Sequence, residues 1–134
     1  MRPLIPNAKL RCALVRIVSV GLCLTASQAM ATPEQFNQDL KKLAITINQD
    51  TMQYQADVNK GKQLADTRCV ACHGDAMLKM MPTYPKLDGQ KAAYLFKQLL
   101  DFKHGQRQNP LMQGQATMLS EQEMKDVAYY YSTL

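Results

Sequence analysis

The chain has 134 residues, 46% of them hydrophobic, and a formal net charge of +5 at neutral pH, which is enough chain for one small domain. Four of its 16 basic residues and none of its 11 acidic residues lie in the first 31 positions, so residues 32–134 carry 12 Lys and Arg against 11 Asp and Glu, a net of +1. The overall charge therefore gives no indication of nucleic-acid binding, and any electrostatic steering of partners has to come from local patches.

The N-terminal segment has the order of a secretory signal peptide. Its basic residues, which end at Arg16, precede an apolar run over residues 17–26, and Ala29-Met30-Ala31 supplies a small-residue cleavage pattern. The apolar run is well short of the roughly 20 residues that span a bilayer, which favours a cleaved signal over a retained anchor. We expect residues 1–31 to direct export to the periplasm, with cleavage after Ala31 or Ala29 and no membrane span afterwards.

Four helical stretches follow, with no useful strand-like alternation, so the sequence predicts an all-α protein. The first stretch, about Pro33 to Gln55, has apolar residues mostly three or four positions apart. It belongs to an N-terminal extension, residues 32–57. This extension either packs on the domain surface or contacts a partner or a second copy of the chain through residues 33–55. The second stretch runs from about Val58 to Cys69. Gly61 near its start indicates close approach by another element, because Gly in a helix costs about 1 kcal/mol relative to Ala.

The last two helices have recognisable ends. The third is expected over Lys86 to Gly105, with Asp88 as the N-cap and the glycine as the stop. The fourth begins at a capping box, Ser120-Glu121-Gln122-Glu123. Its apolar residues continue toward the C-terminus, so we expect it to pack on the core.

The stretch Cys69-Val70-Ala71-Cys72-His73 carries the chemistry. C-x-x-C-H is the attachment signature of a c-type haem, because each thiol can close a thioether to one porphyrin vinyl group and the adjacent His becomes the proximal iron ligand. Cys12 and Cys23 lie in the predicted signal peptide, so the motif cysteines are the only others. The alternative is a thioredoxin-like disulfide pair, but no strand–helix–strand pattern surrounds the motif. We expect one covalently attached haem c.

The second axial ligand decides the function, because a Met thioether gives an electron carrier with a raised potential and an open position gives a ligand-binding or catalytic haem. The only other histidine, His104, is expected in the last turn of a helix, where its charge suits the helix dipole. Met112 and Met118 lie in the predicted loop before the last helix and are the candidate ligands. The residues alone do not choose between them.

Several further motifs occur in the order typical of class I cytochromes c. The likeness rests on Gly61-x-x-Leu64, Cys69-x-x-Cys72-His73-Gly74, Tyr84-Pro85-Lys86-Leu87-x-Gly89-Gln90, Tyr94, Lys97-Gln98-Leu99, Asp101-Phe102, Gly105 and Arg107. Over about residues 58–134 the chain resembles small bacterial mono-haem cytochromes of the c-553 kind and one half of the di-haem c-four kind. The resemblance implies a class I cytochrome c fold, with three core helices around a covalent haem, to which the extension adds an N-terminal helix.

The resemblance also implies roles for single residues. It places the axial Met eight residues before the Ser that opens the last helix, which makes Met112 the distal iron ligand and His73 the proximal one. It makes the Pro85 carbonyl the acceptor for the ring N–H of that histidine. It also makes Gly61 the place where the second helical stretch crosses the last helix.

The motif and the resemblance together predict a periplasmic mono-haem cytochrome c that carries single electrons between redox partners without a catalytic side chain. Partners would dock transiently at the haem edge, beside an apolar rim near Met77 to Met81. A dedicated haem subunit of a larger oxidoreductase is one alternative, suggested by the extension. An open-site haem enzyme or gas sensor is another and requires that Met112 does not bind. A thiol oxidoreductase is a remote third. The electron donor, the acceptor and the potential stay open.

Overall fold

The computed structural model describes residues 32–134, which form helices joined by turns, with no β-strand in that range. The predicted all-α class is confirmed, whereas the predicted signal peptide lies outside the described residues. The elements are α1 (Pro33–Lys42), α2 (Gln49–Gln53), α3 (Val58–Leu64), a π-helical turn (Ala65–Cys69), α4 (Val70–His73), α5 (Asp75–Met80), α6 (Ala92–Lys103), α7 (Pro110–Thr117) and α8 (Glu121–Ser132). From Thr32 to the C-terminus, every helix is too short or too polar to cross a membrane.

The N-terminal extension forms two short helices, so the single helix predicted over residues 33–55 is wrong. α1 begins at Thr32, whose side chain accepts a backbone N–H of the first turn, and α2 begins in the same way at Asn48. Between them Ala44 adopts the left-handed conformation, with φ of 49°. A helix that ends in the left-handed conformation normally has Gly at that position, because a Cβ destabilises this conformation. The break therefore had no glycine signal in the sequence.

The extension packs against the rest of the domain through α1. Phe36 and Leu40 are 1% and 0% exposed. The Phe36 ring meets the ring of Phe96 on α6 edge-on at 6.1 Å between centroids, and it stacks on Tyr129 of α8 at 6.4 Å. The apolar face of α1 is thus used within the domain, which agrees with surface packing.

Two buried charged residues of α8 also hold the extension. Lys125 is 0% exposed, and its Nζ donates to the carbonyl oxygens of Thr51 at 2.8 Å and Tyr54 at 2.6 Å, and to an asparagine amide oxygen of α1. The carboxylate of Asp126 accepts the Tyr54 hydroxyl at 3.0 Å and the backbone N–H of Asp57 at 2.7 Å. Each buried charge therefore has partners from the extension, as buried polar groups require.

Gly61 is the point at which α3 crosses α8. A Cβ placed on Gly61 would collide with the carbonyl oxygen of Asp126 and would lie 2.8 Å from the Cβ of Tyr130. Packed carbon atoms do not approach so closely, since their optimal separation is about 3.5–4.0 Å. The predicted close approach at Gly61 is confirmed, and it fixes which face of α3 meets α8.

The start of α6 differs from the prediction, and its end agrees. The helix begins after Lys91, which makes no side-chain cap, so the prediction of Asp88 as N-cap is wrong. The chain turns instead at Gly89, whose φ is 72° and whose N–H donates to the carbonyl of Tyr131 at 2.9 Å. At the other end Gly105, also at φ of 72°, follows the last helical turn. Its left-handed conformation ends the helix as expected.

A helix, α7, replaces the loop that was predicted before the last helix. Asn109 caps it by accepting the backbone N–H of Met112, and a proline occupies the first helical position. Both are ordinary signals of a helix start that the sequence contains. α8 then begins at the predicted capping box, with both reciprocal bonds between Ser120 and Glu123 present. Met112 therefore projects from a helix rather than from a loop.

Candidate functional site

A cavity of about 510 Å³ is lined by residues of α3, α6, α7 and α8 and of the turn after α5. Its volume lies within the roughly 300–1,000 Å³ of small-molecule and cofactor sites. Most of its wall is apolar. The apolar lining residues include Leu64, Leu87, Leu95, Leu99, Phe102, Leu111, Leu119, Val127 and Ala128. The core of the domain is thus built around a space that suits a large apolar group.

The C-x-x-C-H motif forms part of this wall, because the π-helical turn and α4 carry it to the cavity. Cys69, Cys72 and His73 all line the cavity. Both cysteines are free thiols rather than a disulfide. Burial raises the pKa of the Cys69 thiol, which keeps it protonated at neutral pH. The two thiols and the imidazole therefore meet at one place, as the motif predicts.

His73 is held in a single orientation. It is 9% exposed, and its Nδ1 lies 2.8 Å from the carbonyl oxygen of Pro85. Since a carbonyl only accepts, Nδ1 carries a proton, and Nε2 is the ring nitrogen that remains to bind a metal ion. The ring also packs against Tyr84, with 6.1 Å between centroids. These two contacts fix the plane of the imidazole ring at the cavity wall.

The cavity separates the two candidate Met ligands. Met112 is half-buried on α7 and lines the same cavity as His73. Met118, at the C-cap of α7, is 56% exposed and is not part of the lining. His104 is exposed at the end of α6 and does not line the cavity either. Of the sulfur and nitrogen ligands considered from the sequence, Met112 is the one that shares the cavity with the motif.

All charged side chains that line the cavity are basic, namely Arg68, Lys86 and Arg107. The guanidinium of Arg107 donates to the amide oxygen of Gln98 and lies 4.8 Å from the centre of the Phe102 ring. Carboxylates form strong charge-assisted bonds with such cations. These three residues therefore suit an anionic edge of a bound group. Lys86 and Arg107 belong to the motifs that carry the family resemblance, whereas their place in the cavity, like that of Arg68, follows from the fold.

Tyr131 is a further lining residue that the motif does not announce. It is buried at 5% exposure on α8 and faces Cys69. Burial, together with the neighbouring thiol, raises the pKa of its hydroxyl above the ordinary value. In the sequence this residue reads only as part of the apolar stripe of α8, so its place in the site follows from the helix packing.

The donor set fits a covalently attached haem. The cavity brings together two reduced thiols for the vinyl groups, an imidazole with a free Nε2, a thioether and cations for the propionates. Thioether links and His/Met axial ligation are the chemistry of c-type haem. The residues that would hold the group are Cys69, Cys72, His73 and Met112.

Comparisons with known proteins point to one family. The sequence profile described as cytochrome c matches residues 58–134. The chain is 43% identical over 77 residues to cytochrome c4 of Thiocapsa roseopersicina. The aligned region covers 58% of this chain and 40% of that protein. Cytochrome c-554(548) of Halomonas halodenitrificans is 41% identical over 68 residues, 48% of this chain and 82% of that protein.

A third relative has a name that refers to an enzyme. The thiosulfate dehydrogenase electron acceptor of Stutzerimonas stutzeri is 46% identical over 69 residues, 51% of this chain and 32% of that protein. The chain also spans only 40% and 48% of the length of the cytochromes c4 from Thiocapsa roseopersicina and Pseudomonas aeruginosa. The similarity therefore concerns one domain of these longer relatives.

Proposed function

Because the chain belongs to the cytochrome c family, whose members bind covalently attached haem c, we propose that it carries single electrons between redox partners. One observation carries the proposal. A single apolar cavity contains both motif cysteines, a histidine fixed in one tautomer and Met112. A haem held between two axial side chains has no open position for substrate, which favours electron transfer over catalysis.

Each residue of the site has a definite role in this proposal. Cys69 and Cys72 attach the group through thioethers, which keeps it in place through repeated oxidation and reduction. His73 binds the iron through Nε2, and the Pro85 carbonyl orients the ring and raises the basicity of that nitrogen. Met112 would supply a thioether ligand, which favours the ferrous form. When bound, the haem supplies the iron that cycles between ferric and ferrous.

The apolar wall and the basic residues support this chemistry. The wall excludes water, so the change of one unit of charge on reduction occurs in a medium of low polarity. Arg68, Lys86 and Arg107 place positive charge at the wall, where they would offset the propionates and disfavour the more positive ferric state. The chain's own residues thus set the potential, and none of them has to react.

We assign residues 58–134 to the haem domain, residues 32–57 to an N-terminal extension and residues 1–31 to a signal peptide that exports the chain to the periplasm. The range matched by the cytochrome c profile supports the domain assignment. The basic and apolar order of the first residues supports the export assignment.

Redox partners would bind transiently beside the motif. Three large apolar side chains are exposed on α4 and at α5, with Val70 at 50%, Met80 at 74% and Met81 at 46%. Flexible Met side chains adapt to different partner surfaces. A second candidate role, service as a dedicated haem subunit or acceptor of one dehydrogenase, is favoured by the relatives named as thiosulfate dehydrogenase electron acceptors. The two roles differ in the partner and not in the chemistry at the iron.

Potentiometric titration of the purified full chain tests the proposal. We expect a reversible transition whose oxidised-to-reduced ratio changes tenfold per about 59 mV, the slope for one electron. Replacement of both Cys69 and Cys72 by Ala should remove the covalent absorbance from the denatured protein. Absence of haem from the wild-type chain would contradict the proposal. Rapid binding of carbon monoxide to the reduced protein would also contradict it and would support the open-site alternative.

A further inference from the structure

The helix that carries Met112 has little packing at its first turn. Among residues 110–117, Ala116 is the one buried residue, at 0% exposure, and it lies in the second turn of α7. In the first turn Pro110 and Leu111 are exposed, and Met112 is partly buried. Helices in proteins owe most of their stability to packing of an apolar face, which this turn lacks. The place of Met112 in the cavity therefore depends on what holds the start of α7.

Asn109 holds the backbone at Met112 through two of its oxygen atoms. The side-chain oxygen accepts the N–H of Met112 at 3.1 Å, and the backbone carbonyl accepts the N–H of Gln113 at 2.8 Å. Met112 is the third residue of α7, so its N–H has no acceptor within the helix. Asn109 also lines the cavity. Its side chain thus supplies the missing acceptor at the residue that carries the thioether.

The residues before Asn109 attach it to α6. The backbone N–H of Arg107 donates to the carbonyl of Asp101 at 3.0 Å, and the guanidinium of Arg107 donates to the amide oxygen of Gln98. Pro110 disfavours a helical conformation at Asn109, whose φ of −165° and ψ of 112° are extended. A continuous set of hydrogen bonds therefore connects α6, which forms part of the cavity wall, with the backbone of the distal ligand.

We propose that Asn109 is a positioning residue for the distal iron ligand, because its cap holds the backbone of Met112 while the thioether is bound. The inference rests on the proposed function, in which Met112 binds the haem iron. Asn109 acts through the backbone of Met112 and needs no contact with the iron. When another ligand displaces the thioether, the poorly packed first turn of α7 can unwind, and the cap is then lost. The cap therefore stabilises the thioether-bound state over the displaced state.

Titration with imidazole tests the inference in the haem-bearing full chain. Imidazole competes with a thioether for ferric iron, so its apparent dissociation constant measures how firmly Met112 is held. The loss of a typical N-cap corresponds to about fivefold in an equilibrium constant, or about 1 kcal/mol. We expect Asn109→Ala to bind imidazole up to about fivefold more tightly than the wild type. Asn109→Ser keeps a good cap and should stay within about twofold of the wild type.

Asn48→Ala is the matched control, because it makes the same substitution at the N-cap of another helix. The side-chain oxygen of Asn48 accepts the N–H of Thr51 at 2.6 Å, and α2 lies outside the lining of the cavity. This variant should unfold at a lower guanidinium concentration than the wild type. Its affinity for imidazole should equal that of the wild type, since α2 carries no iron ligand.

A purely structural cap would give a different result. An Asn109→Ala protein that binds imidazole as the wild type does would overturn the positioning role, whether or not its stability to guanidinium falls. Equal tightening in Asn109→Ala and Asn48→Ala, or no recovery in Asn109→Ser, would overturn it as well. These results leave the proposed function in place. A Met112→Ala protein that binds imidazole no more tightly than the wild type would instead contradict Met112 as the iron ligand of the proposed function, and this inference with it.

Discussion

Replacement of Gly61 by Ala should destabilise the domain, because α3 and α8 cross without space for a Cβ. The new methyl group would collide with the Asp126 carbonyl oxygen, and it would lie 2.6 Å from the carbonyl carbon and 2.8 Å from the Cβ of Tyr130. Two of these three atoms belong to the backbone, so rotation of a side chain cannot relieve the contact. Overpacking costs about 1–3 kcal/mol, and we place this case at or above the upper end. The better helix propensity of Ala returns about 1 kcal/mol, so the domain should lose about 2 kcal/mol or more of its free energy of unfolding.

Gly114 offers a matched control for the same substitution. It lies within α7, and a Cβ built there has no atom within 4 Å, so Gly114→Ala should stabilise the domain by up to about 1 kcal/mol. In a domain of this size 1 kcal/mol moves the Tm by about 4–8 °C. Thermal and guanidinium unfolding of the haem-bearing protein should therefore shift in opposite directions in the two variants. A Gly61→Ala protein as stable as the wild type would refute the tight crossing.

Three further substitutions test the capping box and the extension. The hydrogen bond from the backbone N–H of Ser120 is the main cause that lowers the pKa of Glu123, so this carboxylate stabilises the fold above its unfolded pKa of about 4.5 and loses that effect as the pH falls. Between about pH 6 and about pH 3.5, the free energy of unfolding should therefore change less in Glu123→Gln than in the wild type. An equal change in the two proteins would contradict the cap. Lys125→Met leaves the buried carbonyls of Thr51 and Tyr54 without a donor, which costs about 1–3 kcal/mol of stability for each. Limited proteolysis should therefore cut the extension sooner in this variant than in the wild type. An unchanged cleavage pattern would contradict the role of Lys125 in holding the extension. Ala44→Gly relieves a left-handed residue at φ of 49° and should stabilise the fold by about 1 kcal/mol in thermal unfolding, whereas a lower Tm would count against strain there.

Local interactions explain which parts of the fold could be predicted. The capping box of Ser120 and the stop at Gly105 depend on residues within one helical turn, and both are present. Asp88 had the right residue type for an N-cap, but the left-handed turn at the next residue displaced the helix start. The start of α7 also has a local signal, because the N-cap Asn109 precedes a proline, although a loop was predicted at this place.

Long-range contacts explain the rest. The burial of Lys125 depends on acceptors that lie 71 to 88 positions earlier in the chain, so no local pattern distinguishes it from an exposed lysine of a helix. In the site, the spacing of the cysteines and His73 identified the attachment motif directly. Met112 and Met118 were equivalent until the resemblance favoured the first, because the fold decides which thioether lines the cavity. Arg107 joins the same cavity only through the packing of the helices.

The ferric absorption spectrum tests the central claim most directly, since iron bound by a thioether gives a weak sulfur-to-iron charge-transfer band at the red edge. We expect this band in the wild-type protein, its loss in Met112→Ala and its retention in Met118→Ala, because the exposed side chain of Met118 lies outside the cavity. A wild-type spectrum without the band would contradict His/Met ligation and with it the proposal of an electron carrier. A band that survives in Met112→Ala would contradict Met112 as the ligand.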